Sequence, residues 1–192
     1  VVYNKTEGGS LQMKNDNVSK ISYIEKARKI TSREYLMKLI YQIDMLEGDL
    51  GDINNYLEDF LRDHEEYIIN RYEELLLQFS NESSVDLENV NINNAIDIEY
   101  MRSICNKLSM HCYEIEELIT KHALNWSLDR IAKVDLAILK LAICEVVYMN
   151  DEVPVKVSIN EAVDLAKLYC DDKSPKFING ILGSVVNDTQ KQ

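Results

Sequence analysis

Apolar side chains recur three and four residues apart along most of this 192-residue chain, and almost nowhere in alternation. That is the helical period: positions i, i+3, i+4 and i+7 share a face, whereas a half-buried strand needs a period of two. Leu36, Leu39, Ile40, Ile43 and Leu46 form such a stripe and predict a helix over 31–47, with Thr31 or Ser32 as its cap. Gly48-Asp49-Leu50-Gly51-Asp52 ends it. Ile53, Leu57, Phe60, Leu61, His64, Ile68, Tyr72, Leu75 and Leu76 predict one long helix over 53–78, its other side carrying acidic residues. The Ser/Asn-rich stretch 80–94 predicts a loop. Met101, Ile104, Cys105, Leu108, Cys112, Ile115 and Ile119 then hold register for a third helix over 95–122, the strongest periodic stretch of the chain.

The C-terminal third changes character. Trp126-Ser127 breaks register, and Ser127 is a cap for a short helix at 128–133. Residues 134–149 are apolar on nearly every side, the mark of an enclosed central helix. On that helix Asp135 and Glu145 need partners, for which Lys140 and Arg130 are candidates. A turn at Asp151–Pro154 leads to a helix over 155–170, and Ser174-Pro175 opens a last helix with a hydroxyl cap followed by proline at the first helical position. Gly180 falls inside that helix, where it suits a close helix–helix approach, and Asn179 beside it is placed to satisfy a buried backbone group. The pattern predicts an all-α bundle of six or seven helices, with residues 23–192 as the helical domain and 1–22 as a flexible tail. Val1 is not an initiator methionine, which leaves open whether residues 1–12 are native; Met13-Lys14 is a candidate natural start.

Composition narrows the function. The net charge is −12, which opposes simple electrostatic binding to nucleic acid. The charge is unevenly spread, however: residues 1–30 carry six basic side chains against three acids, and residues 31–133 carry nine against twenty-one. The four cysteines, Cys105, Cys112, Cys144 and Cys170, form no C-x-x-C pair and read as buried free thiols in a reducing cytoplasm. No signal peptide is visible, and the longest nearly apolar run, 134–149, is too short for a membrane span. A soluble cytoplasmic protein is expected.

Catalytic patterns are missing. His64, His111 and His122 lie on or beside apolar stripes, and the pairs Glu65-Glu66, Glu73-Glu74 and Glu116-Glu117 are adjacent, so their side chains diverge around a helix. Asp59 and Asp63 share a face without a further ligand type. No enzyme, metal or cofactor is expected. Binding is the better prospect. Lys26-Ala27-Arg28-Lys29-Ile30-Thr31-Ser32-Arg33 sets four cations at the predicted start of the first helix, where they oppose the macrodipole and favour an external anion. Lys173-Ser174-Pro175-Lys176-Phe177 places basic residues and a ring at a helix start whose N–H groups can hold a phosphate. By spacing, Phe177 is either a core ring or a stacking surface for a base.

Three runs carry a resemblance. They are Leu128-Asp129-Arg130-Ile131 with Val134-Asp135, Ala137–Ala142 and Glu145; Val153-Pro154 with Ile159–Lys167; and Ser174, Lys176-Phe177 and Asn179–Leu182. With Ser32-Arg33-Glu34 and Leu39-Ile40-Tyr41, this combination resembles the NusB family of transcription antitermination factors. The resemblance covers about 26–47 and 95–187. It implies an all-helical fold of two small packed bundles. It also implies recognition of boxA-type single-stranded RNA together with NusE, a small-subunit ribosomal protein. The setting would be antitermination complexes on ribosomal RNA transcripts, with other antitermination factors and RNA polymerase engaged indirectly and no membrane involved. RNA contact would fall on Lys26, Arg28, Lys29, Arg33, Tyr41, Asp135, Lys140, Lys176 and Phe177. The chain departs from the family at Leu136, where a basic residue is common, at Gly183, where an acidic one is, and in a lengthened acidic segment at 48–94. The second reading is therefore a helical protein-interaction module that has kept the fold but not RNA recognition.

Overall fold

The computed structural model describes residues 8–80, 90–123 and 127–189, with side chains from Tyr23 onward. Among them are eight α-helices, two 3₁₀ turns and no strand. The helices are α1 (Gly8–Met45), α2 (Ile53–Asp63), α3 (Glu65–Phe79), α4 (Ile92–Ala95), α5 (Ile98–His122), α6 (Lys133–Tyr148), α7 (Val155–Tyr169) and α8 (Ser174–Thr189). The 3₁₀ turns span Leu50–Asp52 and Leu128–Arg130.

Several boundaries differ from the expected ones. The backbone of α1 is helical from Gly8, well before the start foreseen at 31. Thr31 and Ser32 are not caps: their hydroxyls donate to the carbonyls of Ala27 and Arg28, four residues back, at 2.9 and 2.8 Å. Mid-helix Ser and Thr satisfy themselves in this way. The long helix over 53–78 is two helices, broken at His64 (φ −114°, ψ 11°). There the imidazole Nδ1 lies 2.8 Å from the Phe60 carbonyl, and the Phe60 and His64 rings lie tilted at 30° with centroids 4.2 Å apart. Within the stretch 80–94, Asn91 caps the short helix α4 through a reciprocal box with Asn94; residues 81–89 lie outside the described residues. The short helix at 128–133 is only a 3₁₀ turn, and Ser127 makes no side-chain capping bond to it.

The chain divides into two compact units, Val1–Ser32 with Glu65–Asp97, and Arg33–His64 with Ile98–Gln192, so α1 contributes residues to both. In the first unit, Ala27, Ile68, Tyr72, Leu75, Leu76, Ala95 and Ile96 are buried together with Thr31 and Ser32. Arg28 Nε donates to the Ile96 carbonyl at 2.8 Å, Lys29 pairs with Asp97, and the Ser32 hydroxyl accepts from the Asp97 backbone at 2.8 Å. In the second unit, α6 is the enclosed element, packed by α5, α7 and α8, while α7 packs on α8 and α2 on α5. Its largest fully buried side chains include Leu36, Leu39, Ile40, Ile104, Leu108, Ile115, Ile138 and Leu139. Each such burial contributes about 1.5–3 kcal/mol.

Gly180 corrects a further expectation. It is exposed, and a Cβ built there meets nothing within 4 Å, so no neighbouring helix requires the glycine. Asn179 is exposed as well and does not serve a buried backbone group. The cysteines are all free, with Cys105, Cys112 and Cys144 buried and Cys170 half-buried. No described helix is long and apolar enough to cross a membrane.

Candidate nucleic-acid interface

Ionisable groups on an enclosed helix show which positions the fold has already used. Glu145 on α6 is 1% exposed, and its Oε1 accepts from Arg33 Nε at 2.9 Å and from the Tyr100 hydroxyl at 2.6 Å. Arg33 is 5% exposed and also lies over the Tyr100 ring, 5.3 Å from its centroid. Burial pushes the Tyr100 phenol well above its usual range, and the Glu145 carboxylate adds to this. One turn and a half earlier, Lys140 is 3% exposed and paired with Asp44 at 3.0 Å and Glu116 at 2.9 Å. Neither Lys140 nor Arg130 is the partner expected for Glu145 or Asp135. Arg33 and Lys140, expected at the RNA, are both buried and ion-paired, Arg33 with buried Glu145 and Lys140 with the partly exposed Asp44 and Glu116.

Asp135, in the first turn of α6, is 7% exposed. Its Oδ2 accepts from the Ser174 hydroxyl at 2.8 Å, while its Oδ1 is buried without a hydrogen-bond partner among the described residues. The hydroxyl foreseen as a helix cap thus ties the start of α8 to the start of α6. Beside this junction opens a groove of about 720 Å³. Its apolar wall includes Ile131, Val134, Leu168 and the half-buried Phe177 ring, and Arg130 and Lys173 add basic side chains to it. Cys170 also lines the groove; burial, and then the neighbouring Asp135 carboxylate, push its thiol up to about 12. Lys176, next to Phe177, is exposed.

The structure therefore brings Asp135 and Phe177 together on one groove, with Lys176 on the same helical turn as Phe177. Tyr41 is half-buried on α1. In the other unit, Arg28 and Lys29 serve the Ile96 and Asp97 contacts, and exposed Lys26 holds its ammonium 4.4 Å from the Phe79 ring centroid. These cations sit within α1, not at its start, so the macrodipole argument for them does not apply. Sequence reasoning missed Tyr169 and Cys170 as groove residues. A tyrosine in the last turn of an amphipathic helix was the available clue, but nothing in its spacing aimed it at α8. Among the described residues, no group of three or more His, Cys, Asp or Glu side chains is arranged to hold a metal ion.

Comparison with known proteins adds relatives to this geometry. The NusB family model matches residues 30–187. The transcription antitermination protein NusB of Clostridium tetani (strain Massachusetts / E88) is 37% identical over 156 residues, covering 80% of this chain and 94% of that protein. That of Bacillus pumilus (strain SAFR-032) is 53% identical over 79 residues, but this match covers 41% of this chain and only 60% of the relative. Among solved structures, T. maritima NusB superposes with a TM-score of 0.56 at 25% identity, covering 83% of this chain and 90% of that one. A crystal structure of antitermination factors NusB and NusE in complex with dsRNA matches with a TM-score of 0.54 at 21% identity, covering 83% and 96%, a likeness of fold.

Proposed function

The chain belongs to the NusB family, and from that premise we propose that it is a cytoplasmic, non-enzymatic RNA-binding antitermination factor. It recognises boxA-type single-stranded RNA together with NusE and supports ribosomal RNA transcription. The observation that carries this reading is the half-buried Phe177 ring on the groove wall beside Asp135, whose Oδ1 has no hydrogen-bond partner among the described residues. A buried acceptor left unsatisfied costs about 1–3 kcal/mol, and a turn of the Asp135 carboxylate into the groove would let a donor on a bound base relieve that cost. The face of a base stacking on Phe177 contributes about 1–3 kcal/mol more. Lys176, Lys173 and Arg130 offer positive charge for the backbone, and Lys26 and Tyr41 are further contact candidates. A relative of known structure supports the partnership, since a NusB of this fold has been crystallised with NusE and dsRNA.

The second reading, a protein-interaction module without RNA recognition, draws on the interior placement of Arg33 and Lys140 and on the charge of −12. Fluorescence anisotropy with a boxA-type RNA, with and without NusE and at two salt concentrations, separates the two. The RNA reading expects Phe177→Ala to weaken RNA binding by about 1–3 kcal/mol with little change in melting temperature. The absence of RNA binding at low salt, with NusE present and absent, removes it in favour of the module.

A further inference from the structure

Where α5 meets α8, three side chains form a relay that RNA binding does not use. His122 closes the last turn of α5, and Ser184 and Asp188 lie one turn apart on one face of α8. His122 Nδ1 is 2.7 Å from the Oγ of Ser184, an exposed residue. Its Nε2 is buried with no hydrogen-bond partner among the described residues, and the Asp188 carboxylate lies 3.4 Å from it. Such contacts are often long in a resting protein and shorten when the base takes up a proton. The Lys121 ammonium, 2.6 Å from Asp188, holds that carboxyl below the usual carboxylate range, so it stays ionised beside the ring. Neither His122, Ser184 nor Asp188 lines the Phe177 groove.

A hydroxyl within hydrogen-bond reach of a base, with the base oriented by a third group, is the arrangement that activates a serine. With Asp188 drawing the ring proton to Nε2, Nδ1 accepts the Ser184 hydroxyl proton. Thr189 on the same helix instead turns its hydroxyl back to the Val185 carbonyl at 3.1 Å, as helical hydroxyls commonly do. The surroundings of Ser184 select the chemistry. It sits well inside α8, so the N–H groups around it are bonded within the helix and none is free to hold an oxyanion. Amides and ordinary esters need that support, which leaves donors with a good leaving group. The Asp188 carboxylate one turn away repels a phosphoryl group and tolerates a neutral acyl group.

We propose that Ser184 is a covalent modification site, a stoichiometric acceptor of an acyl group from an activated donor such as an acyl phosphate or an aryl ester. The Ser184 Oγ attacks the acyl carbon while its proton passes to His122 Nδ1. A new ester C–O bond forms, the bond to the leaving oxygen breaks with its electron pair going to that oxygen, and His122 returns the proton to it. Treatment of the full chain with p-nitrophenyl acetate, followed by mass-spectrometric mapping of acetylated peptides, tests it. Exposed Ser127, beside the Asp129 carboxylate, is the internal comparison. Ser184 is expected to acetylate at least about a hundredfold faster than Ser127, the scale of general-base assistance, and His122→Gln to remove that advantage. Because the His122 side chain is only 9% exposed, a thermal melt checks that this variant folds, and Ser184→Cys gives a second reading. Its thiol is expected to react with iodoacetamide at least about tenfold faster than that of Ser127→Cys, since a neighbouring imidazole favours the thiolate. Acetylation of Ser184 no faster than that of Ser127, an unchanged rate in folded His122→Gln, or equal rates for the two cysteine variants overturns the proposal.

Discussion

Arg33 shows how far a single residue departs from what its neighbours in sequence suggest. It follows Lys26, Arg28 and Lys29 and reads as one more surface cation, yet its partner Glu145 is 112 positions away and 1% exposed. No local pattern could reveal that pairing, because burial of an ion is decided by what the fold brings to it. Breaking a buried pair by removing one member costs about 3–5 kcal/mol, so Arg33→Ala should lower the melting temperature sharply. Arg33→Met with Glu145→Leu should recover much of that loss, measured as denaturant midpoints of the single and double variants. Phe177 was legible to a greater degree: the sequence left it between core and stacking surface, and it is half-buried on a groove wall. Cys170 behaves differently from what its position in the groove suggests. Because its thiol is pushed up to about 12, it stays protonated at neutral pH, and iodoacetamide should modify it far more slowly than a free cysteine, as followed by intact mass.

Helical period named α6, α7 and α8 to within about two residues and the end of α5, because each keeps one apolar face or is apolar throughout, while α5 starts at Ile98, three residues after the expected 95, behind the short α4. Where the period runs on without interruption, it hides breaks. The stripe from Ile53 to Leu76 continues through His64, whose backbone leaves the helical region there while both its N–H and its imidazole Nδ1 meet the Phe60 carbonyl. The start of α1 was misplaced for the opposite reason, since Thr31 and Ser32 look like caps while bonding backwards inside the helix. Gly180 provides a test at this scale. With open space at its Cβ and α8 continuous on both sides, Gly180→Ala should stabilise the chain by about 1 kcal/mol, raising its thermal midpoint and leaving RNA affinity unchanged.

For the whole molecule, burial of thiols sets a limit at high pH. Burial pushes the Cys105 thiol up to about 12 and also raises that of Cys144, whereas both ionise near 9 in the unfolded chain. Between those values the folded state holds more protons than the unfolded one, so stability falls as pH rises through that window. Urea midpoints measured from pH 8 to 11 should decline, and Cys105→Ala should flatten the decline. The all-helical architecture was legible from period and composition. The assignment of charges was not, because an excess of twelve negative charges says nothing about which carboxylates face inward. The polar side chains of α6 carry a further consequence. Asp135 fastens this rod to α8, and Lys140 and Glu145 each fasten it to α1 and α5 at separate levels. Sliding that rod by one residue turns it about 100° and shifts it about 1.5 Å, which would strand all three keys without their locks. A triple replacement by apolar residues of similar size, which also strands buried Arg33 without its carboxylate, should therefore keep its helicity, lower its melting temperature and split its amide NMR spectrum into several coexisting threadings.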